Sequence, residues 1–128
     1  MRGKMKQVLL VDGHEDVLIS LEKLLEDAGF NTTTAWSAHD AKQLLREHRF
    51  EVVLVGECLP DGRCEDLCRV VEGQHHRARL IVLQASSPLV DDGRRFVFSG
   101  AFDVASKYEQ PTVLSAVKRA LSTAEHSS

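Results

Sequence analysis

Three cysteines and two histidines lie close together near the middle of the chain. Cys58 precedes Cys64 and Cys68, which are one helical turn apart, and His75 and His76 follow. Thiolates and imidazoles could bind zinc, and thiols could undergo redox chemistry. The spacing matches no finger or ribbon pattern, however, and cysteines four residues apart on an amphipathic helix usually belong to a core or its boundary. We therefore expect no metal here and keep a metal- or redox-sensing domain as the weaker alternative.

A second group of polar residues follows short apolar runs. Asp12, Glu57, Gln84 and Lys107 each stand at or just past the end of such a run. Carboxylate and ammonium groups gathered at one place could bind ions or charged groups. Whether these four residues meet depends on the elements that carry them.

Five short runs rich in aliphatic and β-branched residues predict five strands. The first is apolar throughout, as a central parallel strand should be, whereas the second is rich in threonine and suits a sheet edge. Trp36 follows the second run and is expected to pack there. The predicted strands are 8–11, 32–35, 52–55, 80–83 and 103–106.

Apolar residues recur at helical spacing between these runs. Gly29 and Gly73 are expected to end the first and third helices, Ser37 to cap the second in a pattern with Asp40, and Pro111 to open the last. The predicted helices are 15–28, 37–45, 63–72, 90–99 and 111–121.

Alternating strands and helices predict an α/β fold with right-handed crossovers and a parallel sheet covered on both faces. Five such units in so short a chain favour the flavodoxin-like arrangement, with strand order 2-1-3-4-5. We expect one domain over residues 6–121 and a frayed tail over 122–128. Ligands of such sheets bind at the carboxyl ends of the strands. The pairs Asp12–Gly13 and Gly56–Glu57 should therefore lie near Gln84 and Lys107.

Composition and charge argue against nucleic acid binding and against membrane insertion. The chain has 128 residues and a formal net charge of -3, which gives no electrostatic reason to expect nucleic acid binding. No apolar run approaches the roughly 20 residues that span a bilayer, so we expect no membrane insertion. The apolar stretch near the N-terminus is too short for a signal peptide, and the odd number of cysteines favours reduced thiols. A cytoplasmic protein is expected.

Five sequence segments occur in a fixed order along nearly the whole chain. They are VLLVDGHED at 8–16, FEVVLVG at 50–56, LPDG at 59–62, IVLQA at 81–85, and GAFD at 100–103 followed by Lys107. Together they resemble the receiver domains of two-component response regulators. In that family an aspartate at the end of the third strand takes a phosphoryl group from a phosphohistidine. Two acidic residues after the first strand help to hold Mg²⁺, and a hydroxyl and a lysine grip the phosphate.

At the phosphoacceptor position, the resemblance implies a glycine. In the family a proline follows the acceptor by four residues, and here Pro60 places Gly56 at that position. Glu57 is next in sequence, but successive strand residues point to opposite faces, so it should not project where residue 56 would. Mimicry of the charged state by Glu57 stays an alternative. Asp61 with Gly62 most simply forms a turn.

The other pocket positions are only partly matched. Asp12 stands for one of the two acidic residues and Gly13 for the other, Gln84 replaces the hydroxyl residue, and Lys107 matches the lysine. We expect Lys107 and Asp12 to form a partly exposed ion pair worth about 0–1 kcal/mol. Gln84 could fill the emptied pocket by hydrogen bonding to Lys107 or to a backbone carbonyl. The resemblance therefore implies no aspartyl phosphate and no functional Mg²⁺ site.

The resemblance thus implies an atypical receiver that works as a protein-interaction module and not as an enzyme, with no cofactor. Its partner would be a histidine kinase, another regulator, an output domain or a second copy of the chain. The alternative is a receiver phosphorylated on a non-standard acidic residue such as Glu57 or Asp61. Family members bind partners through the region where Phe96, Phe98 and Tyr108 concentrate here, with Val104 at a position that is often aromatic.

Overall fold

The computed structural model describes residues 5–74, 78–85 and 101–126, with main chain alone at Cys58, Gln74 and 123–126. Secondary-structure elements are numbered within these residues. In chain order they are β1 (Gln7–Val11), α1 (Glu15–Asp27), β2 (Asn31–Ala35), α2 (Ala38–Glu47), β3 (Val52–Gly56), β4 (Cys58–Leu59), β5 (Gly62–Arg63), α3 (Cys64–Gln74), β6 (Arg79–Gln84), β7 (Asp103–Ser106) and α4 (Gln110–His126).

Five of the strands form one parallel sheet in the order β2-β1-β3-β6-β7. This confirms the predicted flavodoxin-like order, because β6 and β7 are the fourth and fifth strands of that sheet. The strands β4 and β5 pair with each other as a small antiparallel hairpin that the sequence did not predict. In register, Val11 lies beside Val55, and Gln84 lies beside Ser106. The carboxyl ends of the central strands therefore finish at one edge of the sheet.

The core lies in two layers, one on each face of the sheet. Because successive strand residues point to opposite faces, Leu9 and Val53 pack toward α2 and α3, whereas Leu10 and Leu54 pack toward α1 and α4. All four side chains are completely buried. Burial of such side chains contributes about 1.5–3 kcal/mol each. This packing fixes the strands and holds their carboxyl ends in place.

Local signals explain the end of α1 and the start of α2. After α1, Gly29 has a φ of +96°, a conformation that side-chain-bearing residues rarely adopt, so the helix ends where the sequence predicted. The Ser37 side chain accepts a hydrogen bond from the Asp40 amide at 3.2 Å, which confirms the predicted N-cap of α2.

Three sequence expectations about local structure were wrong. Helix α3 continues through Gly73 to Gln74, because a glycine in a helix costs only about 1 kcal/mol. Helix α4 extends to His126, into the segment predicted as a frayed tail. Trp36 is 58% exposed and does not pack against the second strand. It lies one residue beyond an edge strand, whose carboxyl end has a strand neighbour on one side only.

The predicted helix at 90–99 lies outside the described residues, as do Phe96, Phe98, His75 and His76. Among the helices that the structure describes, none combines the length and the apolar composition required to cross a bilayer.

Candidate functional site

Three strands bring Asp12, Gly56 and Lys107 to one point at the carboxyl edge of the sheet. Asp12 follows β1, Gly56 is the last residue of β3, and Lys107 follows β7. A β-carbon on Gly56 would lie 2.6 Å from Asp12 Oδ2 and 3.5 Å from Lys107 Nζ. The structure therefore brings together three of the predicted pocket residues.

The carboxylate of Asp12 is completely buried; Oδ1 accepts a hydrogen bond, whereas Oδ2 has an ion-pair contact but no hydrogen bond within the described residues. Oδ1 accepts a hydrogen bond from the backbone N–H of His14 at 2.9 Å and also lies 2.9 Å from His14 Nδ1. Oδ2 lies 2.6 Å from the ammonium of Lys107. The His14 contacts close the turn between β1 and α1, and this turn aims the carboxylate at the end of β3. The position of Asp12 thus follows from the local chain as well as from the strand.

Lys107 is held from two sides and is only 6% exposed. Its backbone N–H donates to the Gln84 carbonyl at 2.8 Å, which continues the β6–β7 pairing by one residue. The next turn is fixed by Thr112, whose hydroxyl oxygen accepts from the Ser106 amide at 3.2 Å and lies 2.7 Å from the Glu109 carbonyl. These bonds direct the lysine side chain back over the sheet edge.

The Asp12–Lys107 ion pair was predicted, and the structure confirms the contact. The expectation that the pair is partly exposed was wrong, because both side chains are almost fully buried. The estimate for exposed pairs therefore does not apply. Removal of one partner from a buried pair typically costs about 3–5 kcal/mol, since the other charge is left without compensation.

The ion pair occupies the space that a side chain at position 56 would need. An added β-carbon would lie 2.6 Å from Asp12 Oδ2, which is closer than real β-carbons approach other atoms, and 3.2 Å from Asp12 Cγ. Gly56 itself is buried. The close approach of Asp12 and Lys107 therefore depends on a glycine at the end of β3.

The neighbouring position 13 is closed in a different way. A β-carbon on Gly13 would lie 3.0 Å from Pro60 Cδ and 3.3 Å from Pro60 Cγ. The proline ring is rigid, and it follows the short strand β4. A side chain at position 13 would therefore contact the proline ring tightly and displace it by a few tenths of an ångström.

Gln84 and Glu57 occupy different surroundings. The Gln84 side chain is completely buried at the end of β6, whereas Glu57 is half-buried. Burial, followed by the charge of Glu65 and in smaller part that of Glu57, raises the pKa of the Cys64 thiol. Cys64 belongs to the core layer between the sheet and α3. The Cys64 backbone amide donates to the Glu57 carbonyl at 3.3 Å, so the two residues are neighbours at the start of α3.

Asp61 has a role that the sequence did not reveal. It lies in the turn of the β4–β5 hairpin, and its Oδ1 and Oδ2 accept hydrogen bonds from the backbone amides of Ala38 at 2.7 Å and His39 at 3.0 Å. These amides belong to the first turn of α2, where unpaired N–H groups favour a negative charge. The amide of Ala38 and then that of His39 hold the pKa of Asp61 below its usual value. The predicted turn is therefore also a cap that joins the hairpin to α2.

Cys64 and Cys68 are buried parts of the core layer at α3. Burial is the largest cause that raises the pKa of the Cys68 thiol, to about 11, and it also raises the pKa of Cys64. Such thiols are mostly protonated at neutral pH and poor nucleophiles. Within residues 5–74, 78–85 and 101–126, no three histidine, cysteine or acidic side chains are grouped as metal ligands.

The residues around Asp12 do not fit Mg²⁺, the cation that the fold family implies. Mg²⁺ requires near-octahedral oxygen ligands and is usually bound by one or two carboxylates. Here the one carboxylate already contacts an ammonium group at 2.6 Å. Gly13 and Gly56 offer no side-chain oxygen as a ligand, and a β-carbon on Gly56 would lie 2.6 Å from Asp12 Oδ2.

Fold and site together define a flavodoxin-like α/β domain with buried charges at the carboxyl edge of its sheet. The family model of the response regulator receiver domain matches residues 8–119. The chain belongs to this family, the receiver domains of two-component response regulators.

A relative of similar sequence agrees with this assignment. The chain is 28% identical over 119 residues to the response regulator protein PilR of Pseudomonas aeruginosa, and the match covers 93% of this chain. The chain spans about a quarter of the length of PilR, since the match covers 26% of that protein.

Solved structures show the same fold. The receiver domain protein (CheY-like) of Methanospirillum hungatei JF-1 superposes with a TM-score of 0.87 at 21% identity, covering 98% of this chain and all of the other, 100%. The signal receiver domain of an HD domain-containing protein from Pseudomonas fluorescens Pf-5 superposes with a TM-score of 0.85 at 23% identity, covering 99% and 94%.

Proposed function

We propose that this receiver domain is atypical: it binds a protein partner in two-component signalling without aspartyl phosphorylation at the usual position. One observation carries the proposal. Gly56 stands at the end of β3, and the buried Asp12–Lys107 pair fills the space where a phosphoacceptor side chain would begin. A phosphoryl group needs a nucleophilic side chain there, and glycine supplies none.

The surroundings of Gly56 support the same proposal. The carboxylate that would help to bind Mg²⁺ is neutralised by Lys107, and Pro60 packs over Gly13. Transfer of a phosphoryl group relies on a cation to neutralise the developing charge. A site without an acceptor, whose one carboxylate is already paired with an ammonium group, is expected to perform no transfer, so we propose that the domain is not an enzyme.

Two other carboxylates, Asp61 and Glu57, are poorly placed to accept a phosphoryl group beside Asp12 and Lys107. Both oxygens of Asp61 accept hydrogen bonds from the start of α2. Glu57 follows β3, and its carbonyl accepts the Cys64 amide at the start of α3 at 3.3 Å. We infer that neither carboxylate serves as a substitute for the missing aspartate.

The partner is proposed to be a protein: a histidine kinase, another regulator, an output domain or a second copy of the chain. Within the described residues of the predicted surface, Tyr108 is 61% exposed, whereas Val104 is half-buried against the core. Exposed aromatic side chains are frequent anchors of protein interfaces. We propose that Tyr108 contributes to such an interface and that the protein acts in the cytoplasm.

Incubation with acetyl phosphate and Mg²⁺, followed by intact-mass spectrometry, tests the proposal. A receiver with an acceptor aspartate, treated in parallel, should gain one phosphoryl group, and this chain should gain none. A gain here would contradict the proposal. Peptide mapping after borohydride trapping would then distinguish Glu57 from Asp61 as the acceptor.

A further inference from the structure

We propose that Lys107 permanently supplies the positive charge that Asp12 requires, in place of a divalent cation. The pocket is thus charge-balanced and closed by the chain itself, and its stability does not respond to Mg²⁺. The inference goes beyond the absence of phosphorylation, because it assigns the counter-ion of Asp12. It holds or fails independently of whether another residue accepts a phosphoryl group.

The contacts of Asp12 are the first support for this proposal. The carboxylate is completely buried, and a buried charge is costly unless it is paired and hydrogen-bonded. Oδ2 contacts the Lys107 ammonium at 2.6 Å, and Oδ1 takes the His14 backbone amide and contacts the ring nitrogen Nδ1. A cation at Asp12 would have to share the carboxylate with the Lys107 ammonium, a like charge that lies 2.6 Å from Oδ2.

The burial of Lys107 is the second support for this proposal. An isolated ammonium would also be costly at 6% exposure, so the two charges depend on each other. The lysine is directed to Asp12 by its backbone bond to Gln84 and by the Thr112 turn.

The glycine at position 56 is the third support for this proposal. A β-carbon there would lie 2.6 Å from Asp12 Oδ2, so any other residue would push on the pair. Gly56, Asp12 and Lys107 therefore form one unit, in which the absence of a side chain allows the internal cation to reach its partner.

A double-mutant cycle tests the pairing. The variants are Asp12→Asn, Lys107→Met and the two together, and the measurement is the equilibrium constant of unfolding from urea titrations. We expect the effects of the single substitutions to be non-additive by at least tenfold, since the double variant leaves neither charge uncompensated. A coupling below tenfold overturns the proposal.

An exposed pair provides the matched control. Lys23 and Asp27 lie 3.4 Å apart on α1, with side chains that are 78% and 67% exposed. The cycle of Lys23→Met and Asp27→Asn should give a coupling of about twofold, as for other exposed helix pairs. Equal couplings in the two cycles would also overturn the proposal.

A Mg²⁺ titration of the unaltered chain tests the closed pocket. At ~10 mM Mg²⁺, a native-state site with a Kd of ~1 mM would raise the folding equilibrium constant about tenfold. We expect no change in that constant. We also expect no change in the fluorescence of Trp36, which follows the residue whose carbonyl accepts the Asp12 amide. A Mg²⁺-dependent rise in stability would overturn the proposal, whereas phosphoryl addition in the mass experiment would contradict only the proposed function.

Discussion

Asp12 and Asp61 are two carboxylates near the carboxyl edge of the same sheet, yet they obtain their charge compensation from different sources. Asp12 is completely buried and relies on the ammonium of Lys107, which comes from a turn far along the chain. Asp61 lies in an exposed hairpin and relies on two backbone amides at the start of α2. The charge of Asp12 is therefore compensated mainly by the ammonium group of one side chain, and that of Asp61 by the backbone amides of a helix.

The difference determines what each site tolerates. A buried pair is sensitive to any atom that separates its charges, because no water can replace the lost partner. An exposed cap is less sensitive, since water can hydrogen bond to both the carboxylate and the amides. The pocket at Asp12 should therefore tolerate substitutions poorly. Substitutions in the β4–β5 hairpin should be tolerated better and should have local effects.

The substitution Gly56→Ala should have the largest effect, because it tests the buried carboxylate directly. Its β-carbon would lie 2.6 Å from Asp12 Oδ2, so the ion pair must shift. We expect a loss of about 1–3 kcal/mol in the free energy of unfolding, measured by urea titration.

Gly73→Ala is the matched control for that substitution. Gly73 lies within α3, and an added β-carbon there meets no atom within 4 Å. Replacement of a helical glycine by alanine should stabilise the domain by about 1 kcal/mol. If both alanines changed stability in the same direction, crowding at Gly56 would not be the cause of the first effect.

Asp61→Ala should have a smaller and more local effect. The substitution removes the acceptor of the Ala38 and His39 amides, while Ser37 still caps the Asp40 amide. Hydrogen exchange measured by NMR should accelerate at residues 38 and 39 and stay unchanged in the central strands. The Asp61→Asn variant keeps one carbonyl oxygen as an acceptor. Its exchange rates at residues 38 and 39 should therefore lie between those of the unaltered chain and those of Asp61→Ala. Equal acceleration throughout the sheet would show that the hairpin supports the whole fold.

Acidification should give the smallest effect, confined to the same cap. The amides of Ala38 and then His39 lower the folded-state pKa of Asp61 from its ordinary value of 3.8. The stabilisation is therefore fully present above about pH 4 and is lost as the pH falls through the lower folded-state pKa. The stability difference between the unaltered chain and Asp61→Asn should be constant from about pH 7 to 5 and shrink below about pH 4. Urea titrations across this range measure it, and a difference that grows on acidification would contradict the assignment of the cap.

Strand ends were predictable from the sequence, and so was the contact between Asp12 and Lys107. Apolar runs located the strands, and the parallel topology placed both residues at one edge. The burial of the pair was not predictable, because it depends on how the turns after β1 and β7 fold back. Those turns are fixed by hydrogen bonds of His14 and Thr112 whose geometry no spacing rule provides.

The two caps of α2 also show what could and could not be predicted from the sequence. Ser37 lies three residues before Asp40, a local pattern that the sequence displays and the structure confirms. Asp61 lies 23 residues from Ala38, and the hairpin that presents it consists of two strands of two residues each. Such short strands leave no periodicity to detect. Trp36 was misplaced for a related reason, because hydrophobicity alone does not indicate whether an edge strand has a cover.

The close approach of Asp12 and Lys107 to Gly56 has a consequence for protein engineering. An aspartate introduced at position 56 would place its β-carbon 2.6 Å from Asp12 Oδ2 and 3.5 Å from Lys107 Nζ. Conversion of this chain into a phosphorylatable receiver therefore requires the side chains of Asp12 and Lys107 to rearrange around the new carboxylate, and not only the addition of that carboxylate.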